Sequence, residues 1–349
     1  MKTPQLKTLG PIGLAFLAAA LFGVATPASK VLLDNFPPFQ LGGILYLGAA
    51  LAVSPLVLRP GLKAPWHLGR KSGLCLLGSL TFGGILAPIF MLFGLQYASG
   101  GSVSMWLGLE GSATALFAFF FFREHLGWKA WVGIVLALIS SIILGWAEGA
   151  SGFHAAVLVL LACVCWGLDN NLSSIIDAAT PAQVTFWKGL TAGAINLAIG
   201  LNLAPFAGSI ETTAAGIAIG ACAYGLSLVF YLIAEQQLGA ARGQMIFASS
   251  TFVGLALSAL LLHEGISPLQ WAALALFVVA LWLILHDKHE HEHEHEPMEH
   301  IHRHRHDDGH HDHEHADGTT GEGIEHEHWH RHEAKTHSHP HVSDLHHRH

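Results

Sequence analysis

Three ionisable residues lie deep inside apolar segments of this 349-residue chain: Glu110, Asp169 and Lys188. An ionised side chain at the centre of a membrane helix costs roughly 2.5–3.5 kcal/mol, and such residues usually face a cavity or one another. Groups of this kind can exchange a proton, hold an ion or bind a charged solute. A functional role is therefore the first hypothesis for all three.

Asp169 and Lys188 are predicted to form an ion pair. A turn near residue 179 separates two apolar segments, with Asp169 ten residues before it and Lys188 nine after it. At about 1.5 Å per residue, the two side chains reach roughly the same depth on adjacent antiparallel helices. The alternative is a purely structural pair that locks two helices together.

Polar and aromatic neighbours extend this predicted site. Asn170 and Asn171 add amide donors and acceptors, which suit a polar solute in a pocket of low dielectric constant. Trp166 and Trp187 flank the charged pair instead of lying at a span end, and they are expected to line the same pocket.

Glu110 has no evident partner in the sequence. Counting 140 residues onward, the offset of an internal repeat described below, its equivalent is Ser250. A carboxylate without a fixed counter-ion could load and release a proton or bind the solute, and a protonated structural glutamate is the alternative. An enzyme using Glu110 and Asp169 as acid and base is disfavoured, because no nucleophile with an adjacent base accompanies them.

These residues are set in ten apolar runs. A membrane helix needs roughly 20 residues to cross about 30 Å of hydrocarbon, so each run is long enough to span a lipid bilayer. The runs cover 11–29, 37–58, 74–97, 102–122, 130–147, 155–176, 182–203, 213–235, 244–262 and 268–286.

The runs are organised as a repeat. Glu124 precedes Trp131 by seven residues, and 140 positions later Glu264 precedes Trp271 by the same distance. Five helices per unit is an odd number, so the second unit must enter the membrane from the opposite face. Inverted repeats of this kind commonly build alternating access around a central site. Both glutamates lie at helix boundaries and are predicted to cap the start of the next helix.

The predicted fold class is an all-α integral membrane protein with ten transmembrane helices in two inverted five-helix repeats, followed by a disordered C-terminal tail. The three parts are residues 1–148, 149–286 and 287–349.

Several motifs resemble the EamA-type branch of the drug/metabolite transporter superfamily. They are FREHL at 122–126 and LHEGI at 262–266, together with CWGLDNNL at 165–172 and WKGLTAG at 187–193. The likeness covers roughly residues 10–286 and implies two five-helix units and the transport, often outward, of a small solute. It does not name the solute.

Basic residues predict the orientation. With a cytoplasmic N-terminus, only Lys30 falls outside, so the rule that basic residues stay inside places both termini in the cytoplasm of a bacterial inner membrane. The inside set is Lys2, Lys7, Arg59, Lys63, Arg70, Lys71, Arg123, Lys129 and Arg242.

The tail has a different chemistry. Of the 27 histidines only His67, His125, His154 and His263 precede residue 286, and the tail carries 16 acidic against 6 basic residues. Too little apolar content for a core predicts disorder. Imidazole suits Zn, Ni, Co and Cu, so labile divalent metal is expected on the tail. The predicted ligands are His289, His291, His293, His295, His300, His302, His304, His306, His310, His311, His313 and His315.

The function that these patterns favour is a secondary transporter exporting a small polar metabolite. The alternative is a divalent metal (Zn, Ni or Co) exporter with the tail as a cytosolic metal collector, or a transporter of another solute that metal on the tail regulates. The remaining alternative is a tail that only buffers metal or has no function. The sequence contains no P-loop motif, which argues against direct coupling to ATP hydrolysis. The expected partners are the lipid bilayer, a small-molecule solute and divalent metal ions, and no nucleic acid. We expect no required cofactor, and a homodimer is compatible with the sequence.

Overall fold

The computed structural model describes residues 10–58, 68–122, 126–176, 178–238 and 240–286, and four strand segments of the tail between 292 and 338. Side chains are not described in the tail or at positions 122, 236, 240–242, 245 and 285. The helical body and the tail are separate compact units, and each is taken by itself.

The described part of the body is built from α-helices and two π-helical segments. The helices are α1 Pro11–Gly23, α2 Ala25–Leu32, α3 Pro38–Val57, α4 Gly69–Ser79, α5 Ala87–Tyr97, α6 Gly100–Leu107, α7 Leu109–Phe122, α8 Trp128–Ala147, α9 Gly149–Ser174, α10 Pro181–Leu203, α11 Ile210–Ile219, α12 Ser227–Leu238, α13 Ala240–Phe247, α14 Ser250–Leu261 and α15 Pro268–Leu285. The π-helical segments are Leu80–Leu86, between α4 and α5, and Gly220–Leu226, between α11 and α12.

The prediction of ten apolar helices is confirmed. Within the described residues, eight continuous helical stretches are long and apolar enough to cross a membrane, and α14 and α15 are shorter apolar helices. Local sequence explains several starts: Thr180, Ser209 and Ser267 each form a capping box with the residue three positions on. Each box satisfies backbone N–H groups that a helix start leaves free.

Irregular backbone recurs at the repeat offset of 140 residues. The π-helical segments begin at Leu80 and Gly220, and the fourth span breaks at Gly108 where the ninth breaks at Ala248 and Ser249. Interrupted helices at matching positions of two repeats point to the binding site of a transporter. Here they converge on the residues described in the next subsection.

Close helix contact holds the middle of the body together. α3 packs along α10, and a Cβ atom at Gly189 would lie 2.7 Å from the carbonyl oxygen of Tyr46. A Cβ at Gly193 would lie 2.8 Å from the backbone nitrogen of Leu47. Glycine at both positions lets the two backbones approach, which brings Lys188 on α10 level with Tyr46 on α3.

The tail contains four short strands where the sequence predicted no fixed structure. They are β1 Glu292–His295, β2 Met298–His304, β3 His326–His332 and β4 Lys335–Ser338, and they pair antiparallel as β1 with β4 and β2 with β3. Alternating histidine and charged residues repeat with the period of a strand, which accounts for the extended backbone. The rest of the tail lies outside the described residues.

Candidate functional site

The predicted ion pair is present and fully buried. Lys188 Nζ on α10 lies 2.7 Å from both carboxylate oxygens of Asp169 on α9. The hydroxyls of Ser79 and Ser173 donate to Asp169 Oδ1 at 2.6 Å and 3.0 Å. A Cβ at Gly83 would overlap the Asp169 carboxylate, so the first π-helical segment brings its backbone directly against the pair. Each charge already has a counter-ion, and the pair joins α9, α10 and the third span.

Glu110 has a different environment. It lies in the first turn of α7, directly after the break at Gly108, and it is 6% exposed. Its Oε1 atom accepts hydrogen bonds from Asn170 Nδ2 on α9 and Gln244 Nε2 on α13, both at 2.9 Å. Among the described residues, the only ion pair found is that of Asp169 with Lys188. Glu110 is therefore held by neutral amides, which leave its charge uncompensated.

Both acidic groups face one narrow cavity at the centre of the body. Its walls are formed by Phe22, Tyr46, Glu110, Trp166, Asp169, Asn170, Lys188, Tyr224, Leu228, Tyr231 and Phe247. A single cavity thus combines a neutralised ion pair, an uncompensated carboxylate and aromatic rings.

The aromatic rings contact one another around this cavity. Ring centroids are 5.0 Å apart for Phe22 and Phe247, 4.7 Å for Tyr231 and Phe247, and 5.3 Å for Tyr46 and Tyr224. Such walls can bind the apolar part of a solute and can attract a cation to their faces.

The first π-helical segment fixes two of the aromatic residues. Tyr46 Oη and Trp166 Nε1 donate to the carbonyl oxygen of Gly83 at 2.7 Å and 3.1 Å. π-helical bulges are frequent at functional sites because they re-aim backbone groups that a regular α-helix would hide. Gly83 therefore links the cavity wall to the backbone that touches Asp169.

The structure brings together five of the seven predicted transport residues. Glu110, Trp166, Asp169, Asn170 and Lys188 all line the cavity.

The other two predicted residues lie elsewhere. Asn171 Nδ2 donates to the carbonyl oxygens of Gly167 and Thr114 at 2.8 Å and 3.1 Å, so its amide supports the helix packing. Trp187 packs its ring edge-to-face on Phe186 and is not part of the cavity wall.

Sequence reasoning missed the tyrosines and Gln244. Three of the chain's four tyrosines, Tyr46, Tyr224 and Tyr231, line the cavity. Tyrosines of membrane helices concentrate at the membrane interface, so the positions of Tyr46 and Tyr224 in the middle of their spans were a signal in the sequence. Tyr231, four residues before the end of its span, gave no such signal.

The prediction for Glu264 needs correction. Its carboxylate does cap a helix, but the helix is α6: Oε1 and Oε2 accept from the backbone N–H groups of Gly100 and Gly101, each at 2.9 Å. The following helix, α15, has its own cap in Ser267, which leaves Glu264 free to reach across the bundle. Glu124 lies outside the described residues.

Two further side chains meet the same end of the bundle. Glu148 Oε1 accepts from Ser102 Oγ at 2.5 Å, and Lys30 Nζ donates to the carbonyl oxygens of Leu95 and Ala98 at 2.6 Å and 2.9 Å. Together with Glu264 they bind the turn between α5 and α6, which we call the α5–α6 clamp (Lys30, Glu148 and Glu264).

Removing the Glu264 carboxylate should weaken this clamp. Glu264→Ala leaves two N–H groups at the start of α6 without a partner, and losing a cap of this type costs about 0.5–2 kcal/mol. We expect a lower midpoint of thermal unfolding for the purified protein in detergent. Glu211→Ala is the matched control, because Glu211 lies exposed in the first turn of α11. Equal effects of the two changes would contradict the role of Glu264.

The described helices and connections contain no grouped metal ligands. Among the described residues, no three His, Cys, Asp or Glu side chains are grouped so that they could hold a metal ion. Of the predicted tail ligands, His293, His295, His300, His302 and His304 fall in described strands, where only the backbone register is known. The remaining seven, His289, His291, His306, His310, His311, His313 and His315, lie outside the described residues.

The chain is similar to several known proteins. A transporter of Methanothermobacter thermautotrophicus, named as uncharacterized, is 24% identical over 72% of this chain and 79% of its own length. A probable amino-acid metabolite efflux pump of Escherichia coli is 26% identical over 77% of this chain and 93% of its own.

A solved structure has the same fold, with a TM-score of 0.59 and 18% identity over 78% of this chain and 95% of that one. The sequence matches the EamA-like transporter family over residues 9–146 and again over 154–286, so that each match covers five of the ten apolar helices. On this evidence the chain is a membrane protein that belongs to the EamA-like transporter family.

Proposed function

We propose that this transporter exports small polar metabolites by alternating access, and that its preferred solutes carry a protonated amine beside an apolar group. The observation that carries the proposal is the buried Glu110 carboxylate, which neutral amides hold against an aromatic cavity. Amino-acid-derived metabolites fit this description. The Escherichia coli relative, named a probable amino-acid metabolite efflux pump, supports the same class of solute.

The two acidic groups would then have separate tasks. Asp169 is neutralised by Lys188 and bonded by two serines, so it has little capacity left for a second cation. Glu110 has no counter-ion in the described part of the chain, and a buried charge without a partner is costly. A proton or a cationic solute can provide the missing charge, and the two would compete for one carboxylate. Such competition is the simplest way to couple proton entry to solute exit.

Alternating access also requires that the two ends of the bundle open in turn, so each end needs contacts that can close it. With both termini in the cytoplasm of the inner membrane, the α5–α6 clamp lies at the outer end, since Lys30 falls there. The clamp ties the third and fourth spans to the first, fifth and tenth. We propose that its contacts hold the outer end closed and separate when the solute leaves.

The test uses purified full-length protein in liposomes with phenylalanine amide, which carries a protonated amine, and N-acetylphenylalanine amide, which does not. We expect transport of the first to exceed that of protein-free liposomes and the second to stay at background. Equal rates for the two compounds, or no transport of the amine under any imposed pH gradient, would overturn the proposal.

The alternative function, export of a divalent metal such as Zn, Ni or Co, is favoured by one observation. All but four of the 27 histidines fall at residue 286 or beyond. The tail would collect metal for export, or it would regulate transport of another solute. Imidazoles in such number bind divalent ions at many overlapping positions.

Cellular zinc, nickel and cobalt content under metal challenge separates these roles. A null strain, full-length protein and a truncation after Asp287 are compared. Lower metal content with full-length protein alone would replace metabolite export by metal export. Unchanged metal content together with tail-dependent transport of phenylalanine amide would make the tail a regulator.

A further inference from the structure

A third carboxylate, in addition to Glu110 and Asp169, lies buried beside the cavity, on a helix that sequence reasoning did not single out. Glu235 is on α12 and is 3% exposed. Its Oε1 atom accepts a hydrogen bond from Tyr231 Oη at 3.2 Å, one helical turn away. Its Oε2 atom is fully buried and has no hydrogen-bond partner among the described residues. A buried carboxylate oxygen without a donor is strongly unfavourable while it carries charge.

Glu235 is connected to the cavity on two sides. Tyr231, its hydrogen-bond donor, is itself part of the cavity wall. On α13, Gln244 donates to Glu110, while a Cβ at the neighbouring Gly243 would lie 3.1 Å from Glu235 Cα. One turn of α13 thus contacts both Glu110 and Glu235.

The elements packed against α12 offer no described cation that is free to neutralise Glu235. The described stretch of α1 contains no ionisable side chain, and Lys188 on α10 is paired with Asp169 on α9. Arg242 is on α13, and its side chain is outside the description. The other titratable groups on these elements are the thiols of Cys163, Cys165 and Cys222, the phenol of Tyr224 and the exposed imidazole of His154 near the start of α9.

Helix packing common to the two repeats does not require either carboxylate. At the 140-residue offset, Glu235 corresponds to Leu95 and Tyr231 to Met91, just as Glu110 corresponds to Ser250. Apolar residues therefore fill the positions of the first repeat that are equivalent to Glu235 and Tyr231. Glu235 and Tyr231 are additions to the shared scaffold, placed at the side of the cavity where α12 gives way to α13.

We propose that Glu235 is a second proton-binding site, through which protons pass between the Glu110 cavity and the end of the bundle where α12 meets α13. A proton on Glu235 passes to the Tyr231 hydroxyl, which accepts it while releasing its own proton toward the cavity and Glu110. Each carboxyl alternates between its acid and carboxylate forms, so protons balance. This inference rests on the proposed proton coupling and adds the route.

Infrared difference spectroscopy of the purified full-length protein tests this site without a known solute. Spectra at acidic and alkaline pH are compared for wild type, Glu235→Gln, Glu110→Gln and Tyr231→Phe, with exposed Glu211→Gln as control. We expect two carbonyl bands from buried protonated carboxyls, both lost at alkaline pH. Glu235→Gln should remove one, Glu110→Gln the other, and Tyr231→Phe should shift only the Glu235 band.

The outcomes separate this inference from the proposed function. A spectrum of Glu235→Gln identical to wild type, or a Glu235 band that persists at every pH, would overturn the second site. Loss of the Glu235 band with no band assignable to Glu110 would leave the second site standing and contradict coupling at Glu110. If Glu235→Gln does not fold, Tyr231→Phe provides the test. Carbonyl bands that do not shift in this variant would overturn the proposed proton transfer between Glu235 and Tyr231.

Discussion

Replacing Lys188 with methionine is expected to lower the free energy of unfolding by about 3–5 kcal/mol, the range for removing one partner of a buried ion pair. The change leaves Asp169 charged and 5% exposed, with the hydroxyls of Ser79 and Ser173 as its hydrogen-bond donors among the described residues. Methionine matches the length of the lysine stem, so most of the loss is electrostatic. Chemical denaturation of the purified protein in detergent measures it.

The double variant Asp169→Asn/Lys188→Met is the matched control. Asparagine keeps the shape of aspartate against Gly83 and can still accept from both serines, but it carries no charge. We expect it to recover most of the stability lost in Lys188→Met. A single variant that is as stable as wild type would show that the pair does not matter for folding.

The same variants distinguish a structural pair from a functional one. If the double variant is stable but transports no phenylalanine amide, the charges act in transport and not only in holding α9 against α10. If transport returns together with stability, the pair is structural. A charge swap, Asp169→Lys with Lys188→Asp, that transports no better than either single change would count against the ion pair as the functional unit.

Much of the fold could be predicted because membrane helices have a strong signature. Length and apolar content identified the ten helices, and matched depth identified the pair of Asp169 and Lys188, since both depend only on counting residues along regular helices. The breaks at Gly108 and Ala248 are also related by the repeat offset of 140 residues, but the sequence did not predict them.

Side-chain partners from distant helices could not be predicted in this way. Glu110 lacked an evident partner because Asn170 and Gln244 are 60 and 134 residues away, and neither carries a charge that would stand out. Glu235 escaped notice because it is near the end of an apolar run, where a glutamate usually reaches water. Only the packing of α13 against α12 shows that it is buried.

Replacing Glu110 with glutamine is expected to reduce transport of phenylalanine amide roughly 10- to 100-fold, because a hydrogen bond to a charged group contributes about 1.5–3 kcal/mol. The glutamine carbonyl oxygen can still accept from Asn170 and Gln244, so the fold should be preserved. Wild-type transport should also respond to an imposed pH gradient, whereas the variant should not. Initial rates in liposomes at several pH values measure both effects.

Two controls make the result specific to the charge of Glu110. Glu110→Asp keeps a carboxylate and should retain part of the transport and its response to pH, while exposed Glu211→Gln should behave as wild type. Full transport with an unchanged response to pH in Glu110→Gln would exclude coupling at this residue. In that case proton exchange near the cavity would be assigned to Glu235, which is bonded to Tyr231. Asp169 is not a candidate, because it remains neutralised by Lys188.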